Sequence, residues 1–142
     1  MPDIKNLLKA RSMKTTPQRV AVYEAMTALG HAGAEAVSDW IKENSQTRVS
    51  PASVYNILGE FADSGILSRV ASTDSRMVFD VNTSYHLHLY DTRSSEFKDV
   101  DNSELIEAVG AVFKKRRFRG YSIEQVDVQI ICRPTRLKRE DV

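Results

Sequence analysis

His86 and His88 stand two residues apart in an alternating run, Tyr85-His86-Leu87-His88-Leu89-Tyr90. Read as a strand, this run puts both imidazoles on one face, roughly 7 Å apart, so that both can reach one ion. Asp91-Thr92-Arg93-Ser94-Ser95 has the composition of a turn and Glu96-Phe97-Lys98-Asp99-Val100 that of a returning strand, which would carry the Asp99 carboxylate beside the histidines. Two imidazoles and a carboxylate can ligate a metal; the competing reading is two surface histidines on a strand. The flanks of this stretch differ in character. Helices and a hairpin precede it, and one helix and one long strand follow.

The chain has 142 residues, the size of one common domain or of two small domains of about 60–80 residues, and either arrangement can bury a core. A net charge of +1 makes no case for nucleic acid by itself, but the charge is unevenly placed. Residues 1–19 hold five bases (Lys5, Lys9, Arg11, Lys14, Arg19) and one acid, Asp3, whereas residues 81–113 hold two bases against six acids. The lone cysteine, Cys132, excludes an internal disulfide and any CxxC clip, as expected of a reducing cytoplasm. No apolar run approaches the ~20 residues of a membrane span, and no signal-peptide core opens the chain. The expectation is a soluble, cytoplasmic protein with no membrane partner.

A short amphipathic helix with Pro2 in its first turn and a stripe of Ile4, Leu7 and Leu8 is expected to end near Ser12. Thr16-Pro17 starts a second helix, which Val20, Val22, Tyr23 and Met26 continue to Leu29, where Gly30 stops it. His31-Ala32-Gly33 reads as a connecting loop. A third helix over about 34–44 would bury Ala36, Val37, Trp40 and Ile41.

Ser50-Pro51 is the clearest helix start, an N-cap serine with proline at the first helical position. Val54, Ile57, Leu58 and Phe61 form its core face and leave Ser53, Asn56 and Glu60 outward, and Ser64-Gly65 ends it. Residues 66–70 and 76–79 read as two short strands around a loop at 71–75. Helix, turn, helix and β-hairpin make a winged helix-turn-helix, whose second helix lies in the major groove and reads bases from its N-terminal half. Here that half carries Ser50, Ala52, Ser53, Tyr55 and Asn56; asparagine can pair with adenine, and an aromatic or methyl group can contact thymine. Winged helices also serve as protein-binding modules, which is the alternative.

These residues resemble the ferric uptake regulator (Fur) family of bacterial metal-dependent repressors over about residues 8–134. The likeness rests on Lys14-Thr15-Thr16-Pro17-Gln18-Arg19, on Ser53-Val54-Tyr55-Asn56-Ile57-Leu58 with Phe61 and Gly65-Ile66-Leu67, and on Phe79-Asp80 ahead of the two histidines. It implies an α+β protein: a winged-helix DNA-binding domain (1–80) and a small α/β dimerisation and metal-sensing domain (81–134), with a regulatory metal at the hinge. The basic stretch at 135–142, with little apolar content, is expected to be a disordered tail. Because a single winged helix reads too few base pairs for specificity, a homodimer on a palindromic double-stranded operator is expected. Lys14 and Arg19 match residues that contact the DNA backbone, and Tyr55 matches one that touches bases.

By the same resemblance five positions match the regulatory metal site: His31, Asp80, His86, His88 and Asp99. Aspartate at both acidic places with three histidines is more like the peroxide-sensing PerR branch. Three imidazoles and two carboxylates suit Fe²⁺ or Mn²⁺. The sequence departs from the family at the structural Cys₄ zinc site, where Asp91 and Ser94 stand for one CxxC pair and Cys132 with Thr135 for the other. No structural zinc is therefore expected, and the dimerisation domain must rely on its sheet and on a helix with Leu105, Ile106, Val109, Val112 and Phe113. The haem- or iron-responsive Irr branch, which residues 121–128 resemble, is the runner-up, although Cys132 is followed by Arg133 and not by proline.

Three further features have plain readings. The basic run from Lys114 to Arg117 reads as the end of a helix, where cations complement the dipole. Residues 121–132 read as one long alternating strand that could pair across a two-fold axis, and Cys132 as a strand-end residue without a special role. A metal-dependent enzyme is disfavoured: the five ligands nearly fill a metal, and the chain has no HExxH helix, no phosphate-binding glycine loop and no nucleophile with a partnered base.

Overall fold

The computed structural model describes residues 3–72 and 76–136. Two compact units divide the chain, 1–83 and 84–142. Pro2, the centre of the 71–75 loop and most of the basic tail lie outside the described residues.

In the first unit four helices, α1 (Ile4–Ala10), α2 (Pro17–Leu29), α3 (Ala34–Asn44) and α4 (Pro51–Asp63), surround one core that includes Leu8, Val22, Met26, Val37, Leu58 and Phe61. Their starts follow from local chemistry. Asp3, Thr16 and Ser50 each accept a hydrogen bond from an amide of the first turn, at Lys5, Arg19 and Ser53. Ala36 is exposed, not buried, and Ala34 packs on the core in its stead.

Three short strands, β1 (His31–Ala32), β2 (Ser68–Val70) and β3 (Val78–Asp80), form an antiparallel sheet in the order β1-β3-β2. The expected loop at His31 is thus a strand. Gly30 adopts φ +77, which a side chain resists, and its carbonyl accepts from the Val81 amide at 3.1 Å. That turn feeds His31 into register with Asp80. Ile66 and Leu67 lie outside the wing strands, because their amides donate to the Phe61 carbonyl and close the end of α4.

The second unit is a three-stranded sheet, β4 (His88–Asp91), β5 (Glu96–Asp99) and β6 (Gln129–Cys132), in the order β5-β4-β6, with one helix, α5 (Ser103–Lys114). β4 and β5 are antiparallel; β4 and β6 are parallel. The long strand expected over 121–132 is reduced to Gln129–Cys132, and residues 122–128 take no regular form. A strand persists only alongside a partner, and β4 begins at His88, in register with Gln129. Similarly, α5 ends at Lys114 with Lys115 as its cap, so Arg116 and Arg117 lie beyond it. Together the units make an α+β architecture, a winged helix-turn-helix domain followed by a small α/β domain.

Candidate metal centre and nucleic-acid interface

In the first unit the β1–β3 pairing sets His31 opposite Asp80, with His31 Nε2 3.3 Å from Asp80 Oδ2. Asp80 is nearly inaccessible, at 1% exposure. Its Oδ1 accepts from the Asn82 amide at 2.9 Å, which orients the carboxylate and leaves Oδ2 toward the imidazole. An imidazole and a carboxylate presented side by side are half of a ligand set for a divalent cation.

In the second unit His88 and Asp99 are cross-strand partners of the β4–β5 ladder. His86 stands just ahead of β4, not within it, yet its Nε2 comes to 3.0 Å from His88 Nε2. Asp99 Oδ1 lies 3.4 Å from His86 Nε2 and 3.8 Å from His88 Nε2. The other nitrogen of each ring is occupied: His86 Nδ1 is 2.6 Å from the Ser84 carbonyl, and His88 Nδ1 is 3.2 Å from Asp127 Oδ1. A carbonyl and a carboxylate only accept, so both Nδ1 atoms carry the proton. In the neutral rings the two Nε2 lone pairs then face one another and Asp99. That donor set suits a cation, which neutral imidazoles and a carboxylate can share.

Asp127 and Ser84 escaped the sequence reading. Asp127 falls in an irregular segment, and its proximity to His88 depends on the parallel β4–β6 pairing, which no local periodicity announces.

At the opposite end of the sheet, Asp91 is the register partner of Cys132. Asp91 Oδ1 accepts from the amides of Arg93 at 2.8 Å and Ser94 at 3.3 Å, and the Arg93 hydrogen bond holds its carboxyl below the usual carboxylate range. Cys132 Sγ lies 3.6 Å from the Tyr90 carbonyl.

On α4, Tyr55 is 60% exposed and Asn56 is also exposed. Ser53 is half-buried, and its hydroxyl meets Ser50 Oγ at 2.9 Å within the cap. Lys14 is exposed ahead of α2. Arg19 has two intramolecular partners: Nη1 donates to the Lys14 carbonyl at 2.7 Å and Nη2 pairs with Glu60 at 3.1 Å. It braces the segment bearing Lys14 and the helix bearing Tyr55.

Residues 10–131 match the ferric uptake regulator family. The chain belongs to that family. Solved structures share its fold: the ferric uptake regulator of Pseudomonas aeruginosa with manganese (20% identity, TM-score 0.73, 93% of this chain and 98% of that one) and that of Vibrio cholerae (20%, 0.72, 93% and 100%). The peroxide stress regulator of Campylobacter jejuni is similar too (20%, 0.66, 95% and 98%). No curated protein sequence matches. This Fur-family chain is a metal-responsive transcription regulator and not an enzyme. Regulators of the family bind operator DNA as dimers. Among the described residues no helix is long and apolar enough to cross a membrane.

Proposed function

We propose that the chain is a repressor in which one Fe²⁺ or Mn²⁺, held by His31, Asp80, His86, His88 and Asp99, ties the DNA-binding domain to the dimerisation domain. The observation that carries this is the His86–His88 pair, two Nε2 atoms 3.0 Å apart with both Nδ1 atoms facing acceptors. The His31–Asp80 pair of the first domain supplies a matching half-set. A bound dication would supply charge to offset two carboxylates and a common point for three imidazoles. Linked domains move relative to one another by default, so the tie acts by population shift, and about 5.5 kcal/mol of preference takes a closed arrangement from 1:99 to 99:1.

The operator is read as a palindrome by a homodimer, because one winged helix reads too few base pairs for specificity. Apolar residues exposed on the second unit, among them Val112, Phe118, Ile123 and Ile131, support a partner on that surface. Lys14 and Arg19 serve the DNA backbone, and Ser53, Tyr55 and Asn56 the bases. No structural zinc is required: Asp91 is engaged by the turn amides, and Ser94 and Thr135 are not zinc ligands of the usual kind.

Within the family the ligand set, free of thiolates and with aspartate at both acidic positions, favours a peroxide sensor of the PerR kind over an iron or Irr-like haem sensor. Oxidation of a ligating imidazole would cut the tie irreversibly. DNA retardation with metal-free, Mn²⁺ and Fe²⁺ protein, each with and without hydrogen peroxide, tests this. Metal-dependent binding lost to peroxide only in the Fe²⁺ sample is expected; equal peroxide resistance of the Fe²⁺ and Mn²⁺ forms would sink the peroxide reading.

A further inference from the structure

Asp127 belongs to none of the groups assigned above to metal or DNA, yet it touches one of them. Its Oδ1 lies 3.2 Å from His88 Nδ1, and its Oδ2 accepts from Gln129 Nε2 at 2.9 Å. The backbone sets this contact: His88 is in register with Gln129 across the parallel β4–β6 pair, and the His88 amide donates to the Val128 carbonyl at 3.0 Å. The His88 side chain is 5% exposed and that of Asp127 21%, so the contact is largely shielded from water. The Phe97 ring meets the imidazole edge-on, with centroids 5.7 Å apart, and limits its rotation from another side.

We infer that Asp127 is a positioning residue for the regulatory metal, holding His88 as the Nδ1–H tautomer with its Nε2 lone pair aimed at the point shared with His86 and Asp99. This rests on the metal reading above. An ionised carboxylate accepts and cannot donate, so its partner nitrogen keeps the proton and the other becomes the ligand atom. A carboxylate behind a ligating imidazole also raises its basicity, and loss of such a partner typically costs 10–100-fold in metal affinity. His86 has a backbone carbonyl in the same role, which substitution cannot remove. Asp127 is thus a side chain through which the affinity of the site can be tuned.

Two measurements on the full chain test this: the tautomer of His88 in the metal-free protein by ¹⁵N–¹H correlation, and the affinity for Mn²⁺ alone by titration. Wild type should show Nδ1–H at His88. Asp127→Ala should lose that preference and bind Mn²⁺ about 10–100-fold more weakly. Asp127→Asn keeps the size and an acceptor oxygen but not the charge; it should hold the tautomer and show a smaller loss, and it carries the test should Asp127→Ala not fold. An Nε2–H tautomer in wild type, or Mn²⁺ affinity unchanged in both variants while wild type binds normally, would overturn the inference alone. Failure of wild type to take up Mn²⁺ would overturn the metal reading and this inference with it.

Discussion

The Nε2 atoms of His86 and His88 lie 3.0 Å apart, with the Nδ1 atom of each ring turned to an acceptor. If this pair exists to hold a cation, removing one member abolishes a ligand, while in the metal-free protein the facing Nε2 lone pairs contribute no attraction and the hydrogen bond lost is that of Nδ1 to the Ser84 carbonyl. His86→Ala should therefore weaken Mn²⁺ binding by more than the 10–100-fold typical of an outer-shell change. Its metal-free stability should fall only by about the 0.5–1.5 kcal/mol of the Ser84 hydrogen bond. A large drop in metal-free stability with little loss of Mn²⁺ would mark a structural hydrogen bond.

The first unit offers a stability test of the helix that presents Tyr55. Phe61 is fully buried and packs edge-on against Tyr23, with centroids 6.5 Å apart. Phe61→Ala should cost about 3–5 kcal/mol of unfolding free energy. Ser50→Ala, which removes the cap on Ser53, should cost about 1 kcal/mol. Urea unfolding followed by circular dichroism measures both, and a Ser50→Ala loss as large as that of Phe61→Ala would contradict the packing described.

The four helices and the β4–β5 hairpin were legible because their signals are local. Caps at Thr16 and Ser50, apolar spacing on α4 and a turn at 91–95 each act within a few residues. What was not legible depends on distant partners. His31 became a strand residue because β3 lies beside it, and residues 122–128 lost their alternation to an irregular path because β4 begins only at His88. Asp127 was missed for the same reason. Its role exists only once β6 runs parallel to β4.

Arg19 and Lys14 should separate in DNA-binding assays. Lys14 is exposed; if it serves phosphate as proposed, Lys14→Ala should weaken binding evenly across sequences and reduce the salt slope by about 1. Arg19 also braces Glu60 and the Lys14 carbonyl, so Arg19→Ala should weaken binding further than Lys14→Ala. Tyr55→Ala should relax sequence preference, with a discrimination loss of about 1–3 kcal/mol at the contacted base. Equal loss of specificity in all three variants would refute this division of roles.

Asp91 provides a pH-dependent reporter in the second unit. Its carboxyl is held below the ordinary value of 3.8, first by the Arg93 amide, so the turn it closes is favoured when it is ionised. The sign follows: the contribution is complete above the ordinary carboxylate range and is lost as pH falls through the lowered value. The Arg93 amide resonance should therefore move only below the ordinary carboxylate value, and Asp91→Ala should abolish that titration. A resonance that titrates at or above 3.8 would contradict the hydrogen-bonded turn.

The decisive prediction concerns His31. It lies on β1 of the DNA-binding unit beside Asp80, whereas His86, His88 and Asp99 belong to the other unit. If one dication ties the two, the second unit alone still offers two imidazoles and a carboxylate after His31 is removed. His31→Ala should then retain Mn²⁺ with reduced affinity yet lose the metal dependence of operator binding, because the tie to the DNA-binding unit is cut. Metal uptake and DNA retardation, measured on the same preparation, separate these effects. Metal-dependent operator binding at near wild-type affinity in His31→Ala would show that the ion does not act through a link between the domains.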